Sequence, residues 1–493
     1  MSKFKSIKEI IFILTVLLIA GVPLTHKLGY LTIRHWDEAR LACNVYEMLE
    51  NDHYWVVHFE GKPDMWNTKP PLFLWLQTIV VSIFGFNEKS LRILSALSGI
   101  IICLLVSLLT KRITKNYFAS IISCLILVTS PLFINTHTCR TGDYDAFLTL
   151  LSTLNMYFFY LAYDVDSIHK SKLYSSIGII LFAIAALTKG VAGLFIAPGI
   201  FLIFIFSQKR ILLLSKTIWL SAFISIFFVL SYYISREYLN PGYVSAVISN
   251  EITGRYMEVN EGHGAENNYY LLLLSGNQFG IWIYFAISGI IITLFSSDYL
   301  MKFSKFGIII LLTFLCIISF SQTKLYWYIM PVLPLLAIFA AITFCILLNK
   351  INESGTYLQQ FIKKSILIFS IFSWPFYTTY DQVNNPKENW WDQQEYNITY
   401  YLREKVRNHS FAPKTKIVGY WNNPQDAQHI MFYKNMAIVN GFEVELIKPE
   451  KITESCHVIT DQDSARKYLH KNFRIKDSLK YDNVTEYEVV NLL

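Results

Sequence analysis

Long apolar runs recur through most of the chain, and they constrain its fold more than any other feature. Charged residues make up only 16% of the sequence, against about 25% in a soluble protein. A helix needs about 20 mainly apolar residues to cross the hydrocarbon of a bilayer. The runs therefore predict an α-helical polytopic membrane protein with about eleven transmembrane helices, and at most thirteen. The predicted spans cover 10–28, 94–109, 117–134, 146–163, 173–187, 191–206, 217–234, 279–295, 306–320, 326–348 and 366–380.

Lysine and arginine clusters indicate how these spans are oriented. Short cytoplasmic loops carry an excess of positive charge, and the clusters at 3–8, 111–115, 170–172, 209–216, 302–305 and 350–364 all fall on one side of the eleven-span arrangement. That side is the predicted cytoplasm, and it holds the amino terminus of a multi-pass protein of the cytoplasmic (inner) membrane. The clusters also account for the net charge of +7, so no nucleic-acid partner is predicted.

Composition divides the chain near residue 381, where long apolar runs end. Residues 1–380 are predicted to form the transmembrane domain, with a catalytic first outer loop at 31–91. Residues 381–493 are predicted to form a small extracytoplasmic α/β domain, which serves as a lid or docking module. The predicted strands are 416–421, 436–439 and 456–460, the predicted helices are 426–433 and 463–470, and the outer loop is expected to carry interfacial helices at 38–49 and 70–84.

Four carboxylates lie on the predicted outer face. Asp37 and Glu38 begin a predicted helix in the first outer loop, where the helix macrodipole alone favours negative charge. Asp143 and Asp145 occupy a second outer turn, just before the fourth span. Carboxylates so close to a membrane are costly unless they face a wet cavity. If the two loops converge, these groups are candidates for a general base or for stabilising positive charge on a sugar ring.

Cations are also placed on this face, where lysine and arginine should be scarce. Such residues can simply extend from helix ends toward the head groups, but together they predict a clamp for the phosphate of a lipid-linked substrate. The five residues are Arg40, Lys69, Lys189, Arg255 and Lys324. The seven cysteines occur singly, so neither a disulfide framework nor a zinc site is predicted. No cofactor is required by the sequence, although paired aspartates are able to hold Mg²⁺ or Mn²⁺.

Several of these residues belong to short motifs that occur in a particular order. The motifs are Asp37-Glu38-Ala39-Arg40, Lys69-Pro70-Pro71-Leu72 with Trp75, Leu187-Thr188-Lys189-Gly190, Tyr269-Tyr270 before Gly276, and Thr323-Lys324-Leu325 with Tyr328 and Pro331. This order resembles the polytopic glycosyltransferases of the C superfamily (GT-C). The resemblance covers residues 10–348 and is greatest to the branch of aminoarabinose transferases and dolichyl-phosphate-mannose-protein mannosyltransferases.

The resemblance implies an inverting transfer of a sugar from a polyprenyl-phosphate donor, such as undecaprenyl phosphate, to a lipid A, glycan or protein acceptor on the outer face of the membrane. By position in the motifs, it assigns catalytic roles to Asp37, Glu38 and Asp145, and donor-phosphate binding to Arg40, Lys69, Arg255, Lys189 and Lys324. His263 and Asp143 are implied as further substrate contacts. The implied partners are the donor, the acceptor and the surrounding membrane lipids.

One departure from the family pattern concerns the residue before Lys69. Many relatives carry glutamate there, whereas this chain has Thr68, and Glu60 or Asp64 are candidates to replace the lost carboxylate. Two other functions remain open: a flippase or transporter for lipid-linked sugars, and an enzyme like the O-antigen polymerases or ligases. A transporter should show internal repeats and charged residues inside broken spans, and a polymerase would not require the Asp37 loop.

Overall fold

The computed structural model describes residues 2–135, 137–276, 278–296, 298–351, 356–388, 393–421 and 424–492. The chain divides into two compact units. The first unit comprises Met1–Lys27, Pro63–Phe73 and Ile93–Asn384, and the second comprises Leu28–Lys62, Leu74–Arg92 and Asn385–Leu493. Most of the first outer loop is thus grouped with the C-terminal residues, whereas the sequence predicted a single boundary at 381.

Helices make up most of the chain. Their bounds are α1 (Ser2–Thr25), α2 (Asp37–Asn51), α3 (Leu72–Phe84), α4 (Glu88–Thr114), α5 (Tyr117–Val128), α6 (Pro131–Ile134), α7 (Tyr144–Asp164), α8 (Ile168–Lys189), α9 (Ala197–Ile205), α10 (Lys216–Leu239), α11 (Tyr243–Val247), α12 (Tyr269–Ser275), α13 (Trp282–Leu294), α14 (Asp298–Phe320), α15 (Leu333–Ile351), α16 (Tyr357–Asn384), α17 (Gln393–Arg407), α18 (Gln428–Val439) and α19 (Asp463–Asn472). Shorter 3₁₀ segments are Gly190–Leu194, Gln208–Leu214, Tyr326–Val332, Pro424–Ala427 and Pro449–Lys451, and Ile248–Met257 is π-helical.

Seven helical segments among the described residues are long and apolar enough to cross a membrane, or eight if the bent pair Ala197–Ile205 and Gln208–Leu214 forms one span. The prediction of a polytopic helical membrane protein is therefore confirmed, but the count of eleven spans is not. Two predicted spans correspond to the shorter helices α5 and α13, of 12 and 13 residues. Others are longer than predicted, because α8 and α14 extend past their apolar runs into polar flanking residues.

Helix α15 lies at the centre of the first unit. In the apolar segment that contains it, 83% of the residues are buried, whereas the corresponding value is 11% for α10. Both α5 and α13 pack against α15. At Gly289 of α13 a Cβ atom would lie 2.0 Å from the Phe339 carbonyl oxygen, so this close helix contact requires glycine. Most exposed side chains of α10, such as Phe223 and Phe227, are apolar, as expected for a lipid-facing helix.

The second unit contains a mixed five-stranded sheet. Its strands lie in the order β4 (Val444–Ile447), β3 (Thr415–Val418), β5 (Cys456–Thr460), β7 (Val484–Leu492) and β6 (Phe473–Tyr481). Strand β3 is parallel to β4 and β5, and β7 is antiparallel to β5 and β6. The strands are β1 (His58–Phe59), β2 (Lys62–Pro63), β3 (Thr415–Val418), β4 (Val444–Ile447), β5 (Cys456–Thr460), β6 (Phe473–Tyr481) and β7 (Val484–Leu492), of which β1 and β2 form a separate pair. This sheet confirms the small C-terminal α/β domain.

The predicted strand at 436–439 is wrong, because these residues continue the helix α18 that begins at Gln428. A four-residue apolar run fits a strand and the end of a buried helix equally well. The last two strands were missed. Strand β6 contains many charged residues and is mostly exposed. Its sequence therefore resembles that of a polar helix or loop. The turn that joins it to β7 contains Asp482 at φ 51°, a conformation typical of tight hairpins.

Candidate active site

The loop that carries Lys69 is shaped by hydrogen bonds around it. Asp64 accepts from the backbone N–H groups of Trp66 and Asn67, each at 3.0 Å, which forms the local turn that aspartate side chains favour. The Tyr243 hydroxyl then donates to the Thr68 carbonyl at 2.7 Å. Lys69 is 8% exposed, so a buried ammonium group is held at a fixed place in the first unit.

A π-helical segment, Ile248–Met257, approaches this loop and carries Glu251 and Arg255. Such segments are rare and occur often at functional sites. Their terminal carbonyl groups need partners outside the helix. The Ser321 hydroxyl and the Thr323 N–H both donate to the Arg255 carbonyl, at 2.9 and 3.0 Å. The Thr323-Lys324 motif therefore supports the backbone that positions Arg255.

Helices α7 and α8 contribute an ion pair. Asp145 lies in the first turn of α7, and Lys189 is the last residue of α8. The Lys189 Nζ donates to Asp145 Oδ1 at 2.6 Å, and both side chains are less than one-tenth exposed. The next residue, Gly190, has φ 57°, which glycine adopts without strain. The chain can thus turn immediately after Lys189 and leave its side chain at the helix end.

These elements enclose one pocket within the first unit, with a volume of about 300 Å³. Its charged end contains three cations and two carboxylates, for a formal net charge of +1. Its remaining wall is apolar. The polar lining residues are Lys69, Asp145, Lys189, Glu251, Arg255, Tyr256, Ser321 and Tyr328, and the apolar ones are Leu148, Val191, Ala192, Phe195, Ile252, Phe314, Ile317, Ile318 and Pro331.

Glu251 connects two of the cations. Its Oε1 lies 3.3 Å from Lys69 Nζ and accepts a hydrogen bond from the Thr68 hydroxyl at 3.2 Å. Its Oε2 lies 4.0 Å from Arg255 Nε. Burial by itself would raise the pKa of Glu251, but the nearby cations Lys69 and Arg255 outweigh burial and hold this pKa below its ordinary value. The carboxylate is therefore ionised near neutral pH.

Arg255 and Tyr328 form a second polar contact in the pocket. One guanidinium nitrogen of Arg255, Nη1, donates to the Tyr328 hydroxyl at 2.7 Å. The Lys189 ammonium lies 5.2 Å from the centre of the Tyr328 ring, within the range of a cation–π interaction. Tyr328 thus contacts one predicted phosphate ligand through its hydroxyl and another through its ring.

Three further residues predicted for the site lie in the first unit outside the pocket lining. The Lys324 amine donates to the Ser321 carbonyl, and desolvation lowers the pKa of this lysine. His263 is exposed, and its carbonyl accepts from the Lys324 N–H at 2.8 Å. Asp143 is 2% exposed and has an oxygen 3.2 Å from the His137 ring. The geometry favours structural support by Lys324, and the roles implied for all three residues stay predictions.

The other three predicted residues belong to the second unit. Glu38 forms a buried two-point ion pair with Arg92, at 2.7 and 2.8 Å, and the Arg40 guanidinium lies 3.5 Å from the centre of the Phe59 ring. Both arrangements favour structural roles. Asp37 begins α2 and is half-buried. The preceding residue, Trp36, has φ 66°, an uncommon backbone conformation of the kind that clusters at functional sites.

Among the residues that the structure describes, no group of three or more His, Cys, Asp or Glu side chains is arranged to hold a metal ion. A role for Mg²⁺ or Mn²⁺ therefore stays a prediction. The cations Lys69, Lys189 and Arg255 line the pocket and bring positive charge to it.

Sequence reasoning missed Glu251 and assigned no role to Tyr328. It considered Glu60 and Asp64 as the carboxylate near Thr68, but the residue that contacts the Thr68 hydroxyl is Glu251. The one sequence signal for Glu251 is its spacing of four residues from Arg255, which places both side chains on the same side of a helical segment. Thr68 and Glu251 are separated by 183 residues in the sequence, so their contact could not be predicted from the sequence.

Comparisons with known proteins agree with this architecture. Residues 68–234 match the family model described as dolichyl-phosphate-mannose-protein mannosyltransferase. An uncharacterized protein of Aquifex aeolicus is 29% identical over 175 residues, which cover 36% of this chain and 34% of that protein. The undecaprenyl phosphate-alpha-4-amino-4-deoxy-L-arabinose arabinosyl transferase of Pseudomonas savastanoi pv. phaseolicola is 26% identical over 310 residues, covering 62% of this chain and 56% of the transferase. The chain thus spans from about a third to just over half of these relatives.

The fold is similar over a much greater length. The crystal structure of ArnT from Cupriavidus metallidurans bound to undecaprenyl phosphate superposes with a TM-score of 0.69. The match covers 97% of each chain at 14% sequence identity. The family-model match and the arabinosyl transferase relative, together with this shared fold, bear out the resemblance to the GT-C superfamily. At 14% identity the structural match by itself is a likeness of fold.

Proposed function

We propose that the protein is a glycosyltransferase that moves a sugar from a polyprenyl-phosphate donor to an acceptor on the outer face of the cytoplasmic membrane. One observation carries this proposal: a single pocket joins Lys69, Lys189 and Arg255 to an apolar wall. A polyprenyl phosphate has the same two parts, an anionic head and a hydrocarbon tail. The arabinosyl transferase relative is named for undecaprenyl phosphate, and the ArnT structure contains it.

The cations of the pocket would stabilise the departing phosphate. When the bond between the anomeric carbon and the phosphate oxygen breaks, its electron pair stays on the phosphate, which gains negative charge. Preorganised cations in a site shielded from water stabilise such charge effectively. Lys69 and Arg255 are the groups available to stabilise the phosphate, because Lys189 already forms an ion pair with Asp145 at 2.6 Å.

The acceptor oxygen would attack the opposite side of the anomeric carbon, which inverts its configuration. Asp37 is the proposed group that orients a hydroxyl acceptor and takes its proton. A phosphate acceptor, such as one on lipid A, is already ionised and needs no base. Asp145 lines the pocket with its carboxylate held by Lys189, and its proposed role is to position the sugar ring beside the phosphate.

Transfer of radiolabelled sugar tests the proposal. Membranes that contain the wild-type protein or the Asp37→Asn variant, at matched protein levels, would be supplied with a panel of polyprenyl-phosphate sugars. We expect label to reach a lipid, glycan or protein acceptor with the wild type only. If no donor supports transfer and labelled carrier crosses the membrane equally well with both proteins, the enzyme proposal is wrong and a flippase is favoured.

A further inference from the structure

The charge of the phosphate pocket depends on Glu251. Lys189 is neutralised by Asp145 through a short hydrogen bond of 2.6 Å. Lys69 and Arg255 remain, and Glu251 is the carboxylate that faces both. With Glu251 ionised the pocket has a formal charge of +1, and without this carboxylate it would have +2. Charges interact more strongly in such a partly buried site than in bulk water, because less water screens them.

The contacts of Glu251 with the two cations are loose. Its oxygens lie 3.3 and 4.0 Å from the Lys69 and Arg255 nitrogens, whereas a charge-assisted hydrogen bond usually measures about 2.7–2.9 Å. The Thr68 hydroxyl also holds this carboxylate, at 3.2 Å. A phosphate can therefore replace Glu251 as the partner of Lys69 and Arg255, and the carboxylate would stay close to the phosphate after it binds.

The two lipid phosphates of the proposed reaction differ in charge. The sugar-loaded donor is a phosphodiester with one negative charge. The spent carrier is a phosphomonoester, and such a group carries about −1.5 to −2 at pH 7. A pocket charge of +1 matches the donor, but it does not fully neutralise the spent carrier.

We propose that Glu251 is a specificity-determining residue that makes the phosphate site favour the singly charged phosphodiester donor over the more highly charged phosphomonoester product. This inference rests on the proposed function. Repulsion by Glu251 grows with the charge of the bound phosphate, so the carboxylate weakens the binding of the product more than that of the donor. The spent carrier is thereby released for the next turnover.

Binding of two probes to the purified full-length protein tests this inference. The probes are undecaprenyl phosphate and its methyl phosphodiester, measured at pH 8 with the wild type and with Glu251→Gln. Because the repulsion scales with ligand charge, we expect Glu251→Gln to bind the monoester about tenfold more tightly and the diester about threefold more tightly. Glu251→Asp keeps the charge and should keep the wild-type ratio of the two affinities.

A matched control separates a local effect from a general change of charge. Glu258 lies on the same chain segment but is exposed, so solvent screens it and Glu258→Gln should change neither affinity. If Glu251→Gln does not fold, as judged by its melting temperature, Glu251→Ala removes the charge without burying an amide.

Two results would overturn the inference: equal tightening of both probes when the charge is removed, or weaker binding of either. Failure of the proposed function gives a different result, because the wild type would then bind neither probe.

Discussion

The Lys189 ammonium and the Asp145 carboxylate form a buried ion pair at 2.6 Å, at the charged end of the pocket. Helix α8 contributes the lysine and α7 the aspartate, and these helices pack against each other. The pair fixes the Asp145 carboxylate within the pocket, and it leaves the positive charge of Lys189 largely neutralised.

Removal of one partner of this pair should be more harmful than removal of both. Asp145→Asn leaves an uncompensated buried ammonium, which costs about 3–5 kcal/mol of folding free energy. We expect the double variant Asp145→Asn/Lys189→Met to lose less stability than Asp145→Asn alone. Melting temperatures of the purified proteins in detergent would show this coupling, and strictly additive losses would contradict it.

Two adjacent carboxylates, Asp37 and Glu38, should respond differently to loss of charge. Glu38 is fully buried in its two-point pair with Arg92, so Glu38→Gln should lower the melting temperature by several degrees. Asp37 is half-buried at the start of α2, and Asp37→Asn should leave the melting temperature within about 2 °C while transfer falls at least about a hundredfold. Each variant is the control for the other, and equal destabilisation by both would argue against separate roles.

The Tyr328 hydroxyl should contribute to phosphate binding through Arg255. Tyr328→Phe removes the acceptor for Arg255 Nη1, so the guanidinium loses one of the contacts that orient it. We expect the affinity for undecaprenyl phosphate to fall about threefold to tenfold. This is less than the roughly 1.5–3 kcal/mol of a hydrogen bond to a charged group, because Arg255 itself remains and loses only one orienting contact. Tyr238, which is 85% exposed, provides the control, and Tyr238→Phe should bind normally. An unchanged affinity in Tyr328→Phe would show that Arg255 is positioned by other contacts.

The proposed orientation in the membrane can be tested by labelling single cysteines in intact cells. Glu261 follows the π-helical segment and is exposed, and Lys170 lies in a predicted cytoplasmic cluster and is also exposed. A membrane-impermeant maleimide should label Glu261→Cys in intact cells, but Lys170→Cys only after the membrane is opened. Cys316, the exposed native cysteine, is replaced in both variants. The reverse labelling pattern would place the pocket on the cytoplasmic side.

The sequence contained enough information for the fold class and for part of the pocket. Apolar runs define the helical body, and an unexpected cation in an outer loop is a strong signal, so Lys69, Lys189 and Arg255 were found. Helix count was harder to predict, because α5 and α13 are apolar but too short to span by length alone. Residue type also could not distinguish the role of Glu38, which forms an ion pair with Arg92, from the role of its neighbour Asp37.

Glu251 shows the main limit of reasoning from a single sequence. Nothing in its neighbourhood indicates a contact with Thr68 and Lys69, because the contact depends on the tertiary fold and on a π-helical turn. Lys324 shows the converse. Its motif is important for the backbone around Arg255, but its amine bonds to a nearby carbonyl instead of lining the pocket.

The central claim of the proposed function is that the pocket of the first unit holds the phosphate and the first isoprene units of a lipid carrier. A photoreactive polyprenyl phosphate, with its reactive group on the isoprene unit next to the phosphate, would test this claim in native membranes. We predict labelled peptides that contain Phe195 and Phe314–Ile318 in the apolar wall, and loss of label in Lys69→Met/Arg255→Met. Labelling confined to the lipid-facing side of α10, or unchanged labelling in the double variant, would contradict the account.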